Sequence, residues 1–214
     1  MTVDADSLGR YQNSLDFLSA NGVTTGYAGV ISATINGVDN YDVFCVDLYN
    51  AISPGTTYQV TTLSSSDPQV AAFSLNTPRA AWLYVNYLSV VSSSADPDVE
   101  SAALQLAIWD VIHDGGDGLS AGTIQADPAM SSDATTQTVY SDATAFINGS
   151  AGQSAMGAVF MNVLGPTGSQ TLLTDPLALQ NEVPEASTMA MFGMGFAALA
   201  GWARRRRAAN QAGA

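Results

Sequence analysis

The hydrophobic period of the chain changes at Thr77-Pro78, and that change limits the folds open to it. Residues 21–62 are rich in Gly, Thr, Val, Ile and Tyr in short alternating runs, the pattern of strands. Gly26 to Ile35, a turn near Asn36-Gly37 and Tyr41 to Tyr49 predict a hairpin, with a further strand over Thr56 to Thr62. Thr77-Pro78 and Asp96-Pro97 then each set a capping residue before a proline, as helix starts favour. The segments behind them, Arg79 to Val91 and Asp98 to His113, are apolar enough for well-buried helices, the second stopped by Asp114-Gly115-Gly116. A Gly/Asp/Ser-rich connection over 114–136 leads to another helix over Gln137 to Asn148. Ser154 to Leu164 reads as helix or strand, and Gly168 to Thr174 as a last strand. Strands, then helices, then strands again predict an α+β domain: a β-sandwich or small barrel with a helical insertion. At 214 residues the chain is long enough for one substantial core.

Six arginines and no lysine stand against 19 acids, and they are unevenly spread. Residues 1–182 carry Arg10, Arg79 and 18 acids, a net −16, whereas the last 32 residues carry one acid and four arginines, a net +3. The acidic body has no basic face to neutralise a phosphate backbone, which excludes nucleic acid as a partner. Polyanionic membrane surfaces repel it for the same reason. Cys45 is the only cysteine and His113 the only histidine, so there is no internal disulfide, and the two alone cannot fill a four-ligand zinc site. Without lysine, no GxxxxGK[ST] phosphate loop is possible and no ε-amine of the chain competes for an electrophile. The run His113-Asp114-Gly115-Gly116-Asp117-Gly118 fits neither the EF-hand nor the glycine-rich nonapeptide spacing. It reads as a helix-terminating turn, with His113 offsetting the helix dipole, and neither metal nor cofactor is expected.

Two residues invite a chemical reading. Along Val43 to Leu48, Phe44, Val46 and Leu48 share the natural core face, which puts Cys45 with Val43 and Asp47 on the more polar side. On the helix over Ser101 to Trp109, Gln105 shares its face with Ala102, Ile108, Trp109 and Ile112. An amide in an apolar stripe left unsatisfied costs about 1 to 3 kcal/mol, so it either bonds to a loop backbone or has a job. A nucleophilic pair of Cys45 with His113 is the enzymatic alternative. His113 lies eight residues past Gln105, about 12 Å of helical rise. A Cys45 beside Gln105 then leaves His113 out of reach, and no enzyme is expected.

Phe44-Cys45-Val46-Asp47-Leu48-Tyr49, then Ala81-Trp82-Leu83, then Leu104-Gln105-Leu106-Ala107-Ile108-Trp109-Asp110 resemble, in this order, the thioester domains of bacterial surface adhesins. They are more similar still to PEP-CTERM proteins that carry such a domain, and Gln105-Leu106-Ala107-Ile108-Trp109 is the most specific part. The resemblance implies an internal thioester between Cys45 and Gln105, shielded from water by Ile108 and Trp109. Such a bond forms as ammonia leaves, and an amine or hydroxyl of an extracellular surface or polysaccharide matrix opens it. The alternative is a structural protein of the same fold in which Cys45 and Gln105 are simply neighbours and binding is non-covalent.

Met189 to Ala203 reads MAMFGMGFAALAGWA and runs straight into Arg204, Arg205, Arg206 and Arg207. Its fifteen residues, three of them glycine, fall short of the roughly 17 to 25 of a permanent spanning helix, and the arginines are expected to stay cytoplasmic. Val183, Pro184 and Glu185 precede it, and the whole resembles the PEP-CTERM sorting signal, with Ala186 where the usual motif has a second proline. A weak single-span anchor is the other reading. The resemblance implies passage through the inner membrane, then recognition and removal of the tail by an exosortase, leaving the protein at the cell surface or outside the cell. Met1 to Ser19 lacks the basic start and apolar stretch of a secretion signal, so a start codon placed too late or prior removal of the signal is expected. The predicted organisation is an N-terminal segment 1–24, a globular domain 25–175, a linker with the Val-Pro-Glu motif 176–187, and an apolar sorting helix with its arginines 188–214.

Overall fold

The computed structural model describes residues 2–19, 22–35, 37–48, 50, 52–53, 55–63, 76–127, 133–155, 158–165 and 168–175. The chain divides into two compact units, Met1–Leu179 and Gln180–Ala214. The expected sorting helix, with Val183, Pro184, Glu185 and Arg204 to Arg207, lies outside the described residues.

The elements run β1 (Thr2–Ser19), β2 (Gly22–Ile35), β3 (Val38–Cys45), β4 (Thr57–Leu63), α1 (Thr77–Ser93), α2 (Pro97–Asp114), β5 (Gln125–Ala126), α3 (Ala134–Gly149), β6 (Val159–Gly165) and β7 (Gly168–Thr174). The mixed helix and antiparallel-sheet class expected from the sequence is found, with the helices inserted between β4 and β6. Every strand pairing is antiparallel. The order is β2-β3-β7-β6-β4-β1-β5, and β1 pairs back onto β2, so the ladder closes on itself as in a small barrel. The stretch ahead of residue 21, to which sequence patterning assigned no element, forms β1. The ambiguous Ser154 to Leu164 segment yields the strand β6, paired on one side with β4 and on the other with β7. The β2–β3 hairpin turns at Gly37, whose φ of 78° is the left-handed conformation that glycine adopts freely.

The strands bury both faces. Ala28, Val30, Phe44, Val46, Leu63, Phe160 and Leu173 pack against the helices. The alternate positions Ile31, Ala33, Ile35, Val43, Tyr58, Val60, Met161 and Leu172 form a second apolar cluster on the opposite face. That cluster corrects the expectation for Cys45. The face it shares with Val43 is not polar, because the closed ladder encloses a core of its own, and Cys45 packs against both clusters.

Helix α2 is the centre of the helical layer. Asp96 caps it by accepting the Val99 N–H (3.4 Å), Asp98 and Glu100 stand in its first turn and His113 in its last, and Gly115 (φ 73°) ends it. Every residue from Ser101 to Ile112 is buried, between α1, α3, β1 and β2. Ser101 Oγ accepts the Val30 N–H at 2.6 Å and pins the helix to β2. Helix α1 starts one residue earlier than proline spacing suggested: Asn76 is the cap and Thr77 lies inside the helix.

Arg79, near the start of α1, holds the far ends of the other two helices. Its guanidinium donates to Gly115 O (2.7 Å), Ile147 O (2.6 Å) and Ser150 Oγ (2.9 Å). Gly116 passes so close that a Cβ there would collide with the guanidinium. Three charge-assisted bonds from one buried fork bind the helix ends more firmly than neutral contacts could. Arg79→Met keeps the stem but removes all three charge-assisted bonds, leaving Ile147 O and Ser150 Oγ only the bonds they make with each other's residue. It is expected to lower stability by about 3 kcal/mol, read as a lower urea midpoint at unchanged m-value. Arg79→Lys should recover less than half of that, because an ammonium cannot span the three acceptors.

Candidate functional site

The site forms where β3 ends against the middle of α2. Pairing of β2 with β3 reaches Val43 and stops, so the main chain of Cys45 needs partners beyond β2. Gln105 supplies them. The Cys45 N–H donates to Gln105 Oε1 at 3.0 Å, and Gln105 Nε2–H donates to Cys45 O at 2.7 Å. A carboxamide presents a donor and an acceptor side by side, as a strand does, and here it completes the ladder at one residue. Gln105 is only 1% exposed, so both polar atoms are answered in the interior. The two residues singled out from sequence are thus in direct contact, and the partner of the buried amide is the main chain of the cysteine itself.

The sulfur has its own neighbour. Gln170, on β7, donates its Nε2–H to Cys45 Sγ at 3.1 Å. Burial pushes the thiol up to about 12, the Asp47 charge adds to the rise, and the bond from Gln170 opposes it. At neutral pH the group is therefore a thiol rather than a thiolate. Sequence patterning did not single out Gln170. Its one visible signal is the alternation of β7, which sets Gln170 on the same face as the buried Leu172, a core position where a polar side chain needs a reason.

Ile108 (0% exposed) and Trp109 (5%) belong to the apolar cluster against which Cys45 packs. His113 comes nearer to Cys45 than helical rise suggested, since its Nε2 lies 3.0 Å from Val46 O. Its contact is with main chain, whereas the bond at the sulfur comes from Gln170.

A second group lies at the end of α2. Asp110, Asp114 and Asp117 bring one carboxylate oxygen each within 4.8 Å of one another, a set that, among the described residues, could hold a cation. Asp114 accepts the N–H groups of Thr123 (2.8 Å) and Ile124 (2.7 Å), and Asp110 accepts that of Gly118 (3.2 Å), so the cluster also ties the following loop to the helix. The loop pattern read from sequence lacks Asp110, one helical turn before Asp114. Burial first, then the charges of Asp117 and Asp114, push Asp110 up to about 7. The unfolded chain releases this proton near 3.8 and the folded chain near 7, so between those values the folded state holds more protons and loses stability as pH rises. Asp110→Asn, neutral throughout, is expected to flatten that decline in urea unfolding followed from about pH 4 to about pH 7. A slope equal to the parent's would place the proton elsewhere.

Comparison with known proteins bears first on the C-terminus. Residues 182–207 match the PEP-CTERM protein-sorting motif. This is an export and sorting signal. Such motifs are recognised by exosortase and mark exported cell-surface proteins, and the matched range contains Val183, Pro184, Glu185 and the four arginines. Among solved structures, the N-terminal domain of the Streptococcus pyogenes pilus tip adhesin Cpa is similar at a TM-score of 0.48 and 14% identity, over 79% of this chain and 98% of that one. The search of curated proteins gave no match. Among the described residues no helix is long and apolar enough to cross a membrane.

Proposed function

We propose that this exported, exosortase-sorted protein carries an internal thioester between Cys45 and Gln105, with which it attaches covalently to amines or hydroxyls outside the cell. The paired hydrogen bonds between the Gln105 carboxamide and the Cys45 main chain carry this reading. In forming the thioester, Sγ bonds to Cδ of Gln105, the Cδ–N bond breaks, and the thiol proton leaves with the amide nitrogen as ammonia. Negative charge gathers on Oε1 in the tetrahedral intermediate, and the Cys45 N–H already points at that atom from 3.0 Å. Burial makes the thiol a poor anion, so holding it against one carboxamide must make up the difference through proximity. The same burial, with Ile108 and Trp109 in the adjoining cluster, limits the access of water to the product. Because the chain has no lysine, no ε-amine of the protein itself or of a neighbouring copy competes for the thioester. Each domain reacts once, so the protein is a covalent adhesive element of the surface or matrix rather than an enzyme.

Intact mass of the protein, purified cold at mildly acidic pH, is expected to fall short of the sequence by one ammonia, and methylamine should abolish the deficit by adding at Gln105. Cys45→Ala and Gln105→Ala should take up none. A full-mass parent with an alkylatable Cys45, and no Glu at position 105, points instead to the non-covalent structural protein of the same fold. Delivery has its own test, motivated by residues 182–207. Deleting them in a host with an exosortase should abolish surface display, and normal display without them would remove the sorting role.

A further inference from the structure

We propose that Gln170 is a positioning residue that receives the incoming amine when the thioester opens, an inference that rests on the Cys45–Gln105 thioester proposed above. Gln170 is 4% exposed, and its carboxamide has two ends in unlike situations. Nε2–H bonds to Cys45 Sγ at 3.1 Å. Oε1 is buried with no hydrogen-bond partner among the described residues. A buried carbonyl without a donor is an exception that calls for a cause, and Leu172, on the same face as Gln170, belongs to an apolar cluster. An amine nucleophile is a molecule that would bring the missing N–H to this place.

In the opening step the amine nitrogen bonds to Gln105 Cδ, the Cδ–S bond breaks, its electron pair passes to Sγ, and one amine proton ends there. Gln170 serves at both ends of that step. Its Oε1 accepts an N–H of the amine and directs the lone pair at the carbonyl carbon. Its Nε2–H stays on the sulfur as charge arrives there. Cys45 is half-buried rather than fully enclosed, so a small amine has less protein to displace here than at a sealed core position. A thiol nucleophile attacks as a thiolate without an N–H, so it gains nothing from Oε1 and only shares the leaving-group contact.

The ratio of the two reactions isolates the acceptor. Full-length parent and Gln170→Met are first weighed intact to confirm the ammonia deficit, then treated with methylamine or with 2-mercaptoethanol. The methylamine-to-thiol rate ratio is expected to fall about tenfold in the variant, the scale of one hydrogen bond. General loosening of the pocket, or loss of the contact to sulfur, slows or speeds both reactions together and leaves the ratio unmoved. Gln170→Glu, which keeps an acceptor, should hold the ratio near the parent's. Gln170→Leu replaces the Met variant if near-ultraviolet circular dichroism shows the latter misfolded. A ratio within about twofold of the parent's in the apolar variant overturns the amine-receiving role, as does a variant that never forms the deficit. A parent without the deficit overturns the thioester reading itself, and this inference with it.

Discussion

The enclosure of α2 sets the terms for the rest of the molecule. A helix surrounded by α1, α3 and the sheet has no solvent face on which to place a polar side chain, yet this one carries Ser101, Gln105 and Asp110 at full or near-full burial. Each has to be answered from a neighbouring element, at the risk of about 1 to 3 kcal/mol for every group left alone. Ser101 is answered by Val30 in β2, Gln105 by Cys45 at the end of β3, and Asp110 in part by Gly118 in the following loop. These polar contacts fix the register of the helix against the sheet where apolar packing alone would tolerate sliding. The cysteine lies opposite the glutamine because the helix can sit in only one place.

Charge is handled differently at the end of that helix and at its middle. At its end, Arg79 satisfies carbonyls of Gly115 and Ile147 and the Ser150 hydroxyl, and its positive charge partly offsets the burial of Asp110. Asp110 is nevertheless pushed up, so its place in the interior is easiest as the neutral acid. In mid-helix no ion is involved: Cys45 is kept protonated by burial and Gln105 is neutral. A neutral pair suits a reaction that must wait. A standing thiolate in an acidic protein would invite oxidation or alkylation, whereas a protonated thiol would be spared for the proposed reaction with the Gln105 carboxamide.

Much of this was legible in the sequence, and the exceptions have physical causes. The hairpin at Gly37, the capped start of α2 at Asp96 and its stop at Gly115 follow from residues whose local preferences agree with the fold. Cys45 and Gln105 drew attention by their settings and do meet. The polarity of the Cys45 face was misread because alternation of Val43, Cys45 and Asp47 looks half-polar, while only the closed ladder reveals that this side also faces a core. Gln170 and Asp110 escaped notice for a related reason. Each acts on a partner that local pattern does not flag, Gln170 across 125 residues and Asp110 from the helix into the loop beyond it.

Two carboxamides at one cysteine, one bonded to its main chain and one to its sulfur, raise the question of which would be the acyl donor. Attack on an amide carbonyl places charge on its oxygen, and the oxygen with a donor in place is the one that can bear it. Gln105 Oε1 already accepts the Cys45 N–H, on a side chain held by a helix with no room to move. Gln170 Oε1 has no donor among the described residues, and its nitrogen rather than its carbonyl is turned to the sulfur. A tetrahedral intermediate at Gln170 would therefore put a bare oxyanion in an apolar interior, at a cost several times that of an unpaired neutral group. The same asymmetry that disqualifies Gln170 as acyl donor leaves its oxygen free to accept, so in the proposed reaction the two glutamines would divide the work: Gln105 would take the bond, and Gln170 would attend to what enters and leaves at the sulfur.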